Sequence, residues 1–431
     1  MLPSSAERAF NVVLRSATLV SKFLLTFFIA RFLNPSDLGL YGLIAASIGY
    51  ALFLVGFEYY TYSTRELINA PQDEWGGMLK NQVVFYLFSY SFSLVFILFV
   101  FGGGWLPWDY LWWFLVLLLL EHLAQELNRL LVVMSEQLYA SIVLFVRSGL
   151  WCLVVMGYMW VVPQHRDVAV VLWAWMVGGV MACSLGLLRI SRISSGGLSG
   201  RIDWQWIRKG CLIALPFLFA TLAMRGLFTF DRYWVKSIAG LDVLGAYVLY
   251  VGIANAIVSF VDSGVIVFMY PKIIAYAKNR DAEAYFISMK NLFAQTLMAF
   301  FALALVSVIC INYVLGWINN PVYSENIIVF YWLISAVGLF CIGMVPQIGL
   351  YAFNKDRPIV LSHVFGFLVF MFLVWLCSDL VGFMSVPYAL FVSLLFVLIW
   401  KTIAYFRMDK DRFDRHPESG DANGENFSYG R

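Results

Sequence analysis

Charge is what this chain has least of: 13% of its residues are Asp, Glu, Lys or Arg, about half the share of an ordinary soluble domain. So few charges cannot wet a surface on all sides, which excludes a soluble globular protein. Histidine is also scarce, with four residues scattered over 431 positions, and HExxH, GxSxG and Gly-rich phosphate-loop motifs are missing. These absences count against metallohydrolases, serine hydrolases and nucleotide-driven enzymes, and we expect no metal, no cofactor and no enzymatic reaction. The six cysteines (152, 183, 211, 310, 341 and 377) stand singly, without CxxC spacing, and read as small buried hydrophobes. Nothing points to nucleic acid as a partner, and the net charge of +3 matters less than where the charges sit.

What the chain has instead is apolar sequence, 62% by residue, broken into runs of about membrane-spanning length. Twelve runs are expected to span, at 9–33, 38–58, 82–101, 108–133, 138–162, 168–190, 211–235, 243–270, 291–316, 326–352, 358–379 and 385–406. The first is too long for a cleavable signal, carries two charges and is followed at once by another span, so it reads as an anchor. With the N-terminus inside, 21 of the 29 Lys and Arg residues fall on cytoplasmic segments, counting the tail from Lys401, and only Arg31, Arg166 and Lys236 fall outside. That asymmetry places both termini in the cytoplasm. The outer loops are too short to form a domain. The cytoplasmic connections 59–81, 191–210 and 271–290 are expected to lie at the interface, with Trp75, Trp204 and Trp206 at headgroup depth. Aromatics, 18% of residues, are expected mostly in belts, such as Trp105, Trp108, Trp112 and Trp113.

Five cations remain inside spans. A mid-bilayer cation costs at least ~2.5–3.5 kcal/mol on insertion scales, so each needs a partner, a cavity or a role. Arg15 and Lys22 in the first span are two helical turns apart, on one face and about 10.5 Å apart along the axis. Arg225 and Arg232 repeat that spacing in the seventh, and Arg147 sits in the fifth. The repetition extends to the turns. Asp37-Leu38-Gly39-Leu40-Tyr41 is echoed by Asp242-Val243-Leu244-Gly245-Ala246-Tyr247, with Arg31 and Lys236 just before each. We therefore expect two six-helix bundles, 1–193 and 211–406, related by a pseudo-two-fold axis along the membrane normal. A Ser/Gly-rich linker (194–210) joins them, and a polar tail (407–431) is expected to be disordered. Pro216 and Pro346 predict kinks. The five cations are candidates for anion binding, with pairing to nearby carboxylates as the structural alternative. Glu121, His122 and Glu126 in the fourth span, Glu58 closing the second and Asp262 in the eighth are candidates for ion coupling, because a buried carboxylate exchanges protons near neutral pH. An ion-pair network locking helices together is the competing account.

The run KFLLTFFIARFLNPSDLGLYGLIAASIGYALFLVGFE (22–58) resembles the N-terminal signature of the Wzx-type polysaccharide flippases of the multidrug/oligosaccharidyl-lipid/polysaccharide exporter superfamily. There, an Arg-Phe-Leu, a short Pro/Asp turn and a Gly-x-Tyr-Gly lead into the second span. The resemblance implies an all-α, two-lobed transporter, most simply a monomer in a bacterial inner membrane. It would move undecaprenyl-pyrophosphate-linked oligosaccharide from the cytoplasmic to the periplasmic leaflet by alternating access. Its partners would be that lipid-linked substrate, the surrounding membrane lipids, and the polymerase and chain-length regulator of the same pathway. Fixed cations suit a pyrophosphate crossing a low-dielectric interior. A multidrug exporter of the same superfamily is the alternative, although cavity cations disfavour cationic drugs. A membrane polymerase or ligase is less suited, for want of a large outer loop bearing basic residues.

Overall fold

The structure, a computed structural model, describes residues 5–193 and 201–408, and every regular element among them is helical. Of the proposed linker 194–210, residues 194–200 lie outside the described residues, as does the tail beyond 408, while 204–210 are already helix. Spans 1 to 6 are Ser5–Phe32, Pro35–Gly56, Trp75–Gly102, Leu111–Val133, Gln137–Val161 and Val168–Ile193. Spans 7 and 8 form one helical run, Trp204–Lys278, and spans 9 to 12 are Ala282–Ile318, Ile327–Ala352, Asp356–Val381 and Ser385–Phe406. Judged by length and hydropathy alone, nine segments qualify as spans among the described residues. Two of the nine, Trp204–Lys278 and Asp356–Phe406, are hairpins that each hold two spans. Span 4 falls short because Glu121, His122, Gln125, Glu126, Asn128 and Arg129 lower its hydropathy, and with it the helices of membrane-spanning length number twelve among the described residues.

Local chemistry explains the breaks. Span 2 opens on Asn34-Pro35, where Pro occupies the first helical turn at no hydrogen-bond cost and Asp37 closes a capping box with Asn34. The turn between spans 7 and 8 falls at Gly240, whose φ of 82° a side chain would resist. In span 7 the departure from helical dihedrals is at Phe228, not at Pro216, which is accommodated within the helix. The expected interfacial segments are mostly helix. Residues 204–210, 271–278 and 282–290 continue spans 7, 8 and 9, and only Tyr60–Asn69 forms a separate short helix. Trp75 is buried and donates to the Ala70 carbonyl, Trp206 packs on Tyr59 and Tyr62, and Trp204 stays exposed.

The core shows how the lobes sit. Taking as outer the face that bears the turns at 33–34 and Gly240, the outer halves of both lobes share one continuous apolar core, from Leu25 and Leu43 through Tyr247 and Phe330 to Leu394. The inner halves have separate cores. One joins spans 4, 5 and 6 through Leu127, Val143 and Ala182, and the other joins spans 8, 9 and 10 through Ile273, Leu292 and Ile348. A further small core of Tyr59, Tyr62, Phe85, Tyr86 and Ile207 ties the inner ends of spans 2 and 3 to the start of span 7, so the lobes share a continuous core at the outer face and only this local bridge at the inner one.

Candidate functional site

The two repeat motifs meet at the outer face. A Cβ on Gly39 would collide with the Leu241 carbonyl oxygen, and one on Gly245 with the Pro35 carbonyl oxygen, so both positions need glycine for backbone to touch backbone. The preceding cations clasp the opposite lobe with matching geometry. Arg31 donates from Nη1 to the Ile318 carbonyl at the end of span 9 (3.0 Å), and Lys236 donates from Nζ to the Gly104 (3.2 Å) and Trp105 (2.7 Å) carbonyls after span 3. Arg31 therefore caps the last carbonyl of span 9, and Lys236 holds two carbonyls of the turn that follows span 3. Phe28 against Trp317 and Trp105 against Tyr233, both 5.8 Å between ring centroids, complete the seam. Deeper in the seam, Ser47 and Tyr233 hydroxyls lie 2.5 Å apart and Tyr50 packs edge-on to Phe230.

The seam ends at Arg225. Its guanidinium lies over the Phe53 ring of the other lobe, 4.9 Å from the centroid, and it is exposed although it belongs to the middle of span 7. Glu58, buried where span 2 breaks through two consecutive left-handed residues, Phe57 and Glu58 (φ 54° and 53°), is the acid within electrostatic reach. Arg15 and Lys22 are likewise exposed, on one face of span 1, while Thr18, Ser21 and Leu25 on the adjacent face are buried. No carboxylate pairs with either cation among the described residues. Toward the inner ends the lobes meet at the opening turns of span 7, where Asp203 donates its backbone N–H to Asn81 and Lys209 reaches Glu66 at 3.7 Å.

The other predicted residues lie elsewhere. Arg147 sits on a π-helical turn (Val146–Leu150) and grips Glu121 with Nε at 2.6 Å and Nη2 at 2.5 Å. The Trp175 indole N–H fills the second carboxylate oxygen at 2.6 Å. This is a closed, buried unit inside the N-terminal lobe, with its charges and lone pairs directed at one another. Replacing Glu121 by Ala would strand a buried guanidinium, and we expect a loss of about 3–5 kcal/mol. A lower thermal unfolding midpoint in detergent, restored by adding Arg147→Met, is the expected result; an unchanged midpoint in the single variant would contradict it.

Glu126 accepts from Gln82 and Tyr86 (both 2.9 Å) and pairs with Arg129 at 2.5 Å, while His122 Nδ1 lies 3.1 Å from the Tyr90 hydroxyl and its Nε2 is buried without a partner. Arg232 is buried beside Asp231 (3.5 Å), and its Nη1 donates to the Phe228 carbonyl at the break in span 7. The Tyr247 hydroxyl holds the other oxygen of Asp231 at 2.8 Å. Asp262 opens a second π-helical turn (Asp262–Ile266) in span 8 and is half-buried. The structure thus keeps Arg225 and Glu58 together at the lobe interface, and draws Arg147, Glu121 and Arg232 into pairs.

One residue is misplaced by the sequence reading. Lys401, counted there with the cytoplasmic tail, is 2% exposed within the C-terminal lobe and donates to Gln347 Oε1 at 2.7 Å, with no carboxylate partner among the described residues. The signal was available, because Leu390, Leu394, Val397 and Lys401 fall on one buried stripe of span 12. His363 on span 11, also buried, leaves Nε2 unpartnered. An ammonium that relies on one amide oxygen is sensitive to that oxygen. Gln347→Leu should lower the thermal midpoint, whereas Lys401→Met, which removes the charge at similar volume, should leave it unchanged or raise it. The reverse order of midpoints would show that the ammonium itself stabilises the lobe.

No family model and no curated protein matches the sequence, whereas solved structures match its fold. An inward-facing multidrug resistance MATE family transporter of the MOP superfamily superposes with a TM-score of 0.72 at 12% identity, covering 92% of this chain and 98% of that one. An outward-facing MATE family transporter gives 0.51 at 13% identity, covering 93% and 94%. A MOP superfamily transporter from Pyrococcus furiosus with a binding pocket of reversed polarity gives 0.52 at 12%, covering 93% and 94%. At these identities the likeness establishes the fold.

Proposed function

We propose that this two-lobed transporter flips an undecaprenyl-pyrophosphate-linked oligosaccharide from the cytoplasmic to the periplasmic leaflet of a bacterial inner membrane, both termini being cytoplasmic. The observation that carries the reading is Arg225: a cation deep in span 7, at the junction of the lobes, exposed and resting on an aromatic face instead of an acid. Arg15 and Lys22 add two more cations without carboxylate partners. A pyrophosphate offers several anionic oxygens to such a set, and a guanidinium binds two of them at once. The lipid tail also has a place to lie. An apolar cleft of about 580 Å³ runs between spans 1 and 9, lined by Phe23, Phe27, Phe28, Val306, Val314 and Trp317. An anionic head held between the lobes beside an apolar groove at their edge fits an amphiphile better than a soluble solute.

Alternating access follows from the seam. When the clasps and the Gly39–Gly245 contact are made, the molecule opens inward and the cations face the leaflet in which the substrate is assembled. Breaking the seam exposes them outward. Coupling to an ion falls to Glu58, Asp262 and the Glu126–His122 network, whose carboxylates lie in or beside the lobes that must move; Glu58 in particular competes with the substrate anion for Arg225. Arg147 with Glu121, and Arg232 with Asp231, act as locks within their lobes.

Expulsion of multidrug-type solutes is the second reading, favoured by the fold of the structural neighbours. Proteoliposomes separate the two. Translocation of a lipid-pyrophosphate-linked oligosaccharide, read by exposure of its glycan to an external enzyme, is expected; efflux of amphipathic cations in its place would shift the assignment to an exporter.

A further inference from the structure

A large cleft lies away from the lobe junction, at the ends of spans 10, 11 and 12. Its volume is about 1010 Å³, and it is bounded by Lys355, Arg357 and Arg407 at one end and by Phe396, Trp400 and Ile403 along its walls. None of its lining residues is acidic. All three cations are exposed and none forms an ion pair among the described residues. They are also held in place by backbone geometry. Asn354 adopts φ 54°, and the Lys355 N–H closes back on the Leu350 carbonyl at 3.0 Å, the ending that fixes a chain as it leaves a helix. Arg407 caps span 12 through its N–H to the Ile403 carbonyl at 2.9 Å. Arg357 stands in the first turn of span 11, where Asp356 is the one carboxylate beside the positive helix end, set against the three cations of the rim. The walls are lipid-facing: Ile399 and Ile403 are exposed, and Trp400 stacks on Phe365 at 5.6 Å.

We infer that this cleft is a binding site for an anionic phospholipid of the inner leaflet, with its phosphate among Lys355, Arg357, Arg407 and the N-terminus of span 11, and its acyl chains along Phe396, Trp400 and Ile403. A cationic rim over an apolar wall at a membrane face matches a lipid in both charge and shape. A zwitterionic lipid would bring its own cation to the rim, and a soluble phosphate would leave the apolar walls uncovered. Each cation near such a surface contributes about fivefold in affinity at moderate ionic strength, so the three together predict a preference for anionic over zwitterionic lipid of roughly a hundredfold. The site is separate from the cations assigned to transport, so its test stands apart from the flippase reading.

The test titrates the full-length protein in detergent with dioleoylphosphatidylglycerol or dioleoylphosphatidylcholine and counts bound lipids by native mass spectrometry. Wild type should prefer the anionic lipid, the Lys355→Gln/Arg357→Gln/Arg407→Gln variant should lose that preference, and Arg208→Gln/Lys272→Gln, at exposed cations elsewhere, should keep it. Arg407→Glu, a single change at an exposed position, should lose it in part and guards against misfolding of the triple variant. Equal binding of both lipids by wild type, preference surviving in the triple variant, or displacement by millimolar inorganic phosphate would each overturn the assignment.

Discussion

Replacing Arg225 by alanine is expected to slow translocation of a pyrophosphate-linked oligosaccharide by roughly 10- to 150-fold, the equivalent of one lost charge-assisted hydrogen bond, without loss of fold. The two effects separate because of how Arg225 is held. Its exposed guanidinium packs on Phe53 and lacks a hydrogen-bonded carboxylate, so its removal breaks no hydrogen-bonded ion pair and costs only the longer-range attraction of Glu58. Contrast Arg147, whose removal leaves Glu121 buried at 7% exposure and facing only the Trp175 indole. Arg147→Ala should therefore lower the thermal midpoint, and Arg225→Ala should not. Arg225→Lys keeps the charge but loses the planar fork, and should transport at an intermediate rate. The measurement is glycan exposure in proteoliposomes, normalised to inserted protein and paired with a thermal melt in detergent. Undiminished transport by Arg225→Ala would remove it from the substrate path and leave Arg15 and Lys22 as the remaining cations to test.

Gly245→Val should have a larger effect, abolishing transport by preventing closure of the outer seam. Its Cβ would fall on the Pro35 carbonyl oxygen, which is backbone and cannot swing away as a side chain can. The lobes must then separate at that point, which breaks the Arg31 and Lys236 clasps a few residues away, and the inward-facing form loses population. A cycle that cannot revisit one of its two states does not turn over. Pulsed electron paramagnetic resonance between spin labels at Asp109 and Glu325, exposed outer positions on opposite lobes, should report a longer distance in the variant, in a background freed of native cysteines. The double variant Arg31→Ala/Lys236→Ala should move in the same direction by less, since only hydrogen bonds to carbonyls are lost. An unchanged distance in Gly245→Val would mean that this contact does not gate the outer side.

Much of this architecture could be read from the chain, because a bilayer restricts the options. Without water to satisfy peptide groups, a spanning segment must be helical, and apolar run length alone counts the helices. The echo of Asp37 to Tyr41 at Asp242 to Tyr247 was visible because the two turns carry Asp, Gly and Tyr in the same order and at nearly the same spacing. What a motif cannot state is its partner. That Gly39 and Gly245 face each other, and that Arg31 and Lys236 clasp each other's lobes, depends on how two bundles dock, and no local pattern encodes a docking angle.

The charged residues divide along the same line. The sequence by itself determined that five cations and several acids lie at membrane depth, since their cost in hydrocarbon is a property of the residue type and its position in an apolar run. Only the tertiary structure decided which of them neutralise one another. Arg147 and Glu121 are 26 residues apart and come from different spans, yet they meet at 2.5 Å because spans 4, 5 and 6 share one core. Arg225 finds no such partner because its side of span 7 is turned to the junction between lobes. Lys401 shows the converse error, a lysine near a helix end that looks cytoplasmic until packing buries it against Gln347. Hydropathy is additive along the chain and can be read locally. Pairing depends on which helix faces are brought together in space, and that is fixed only when the lobes are packed.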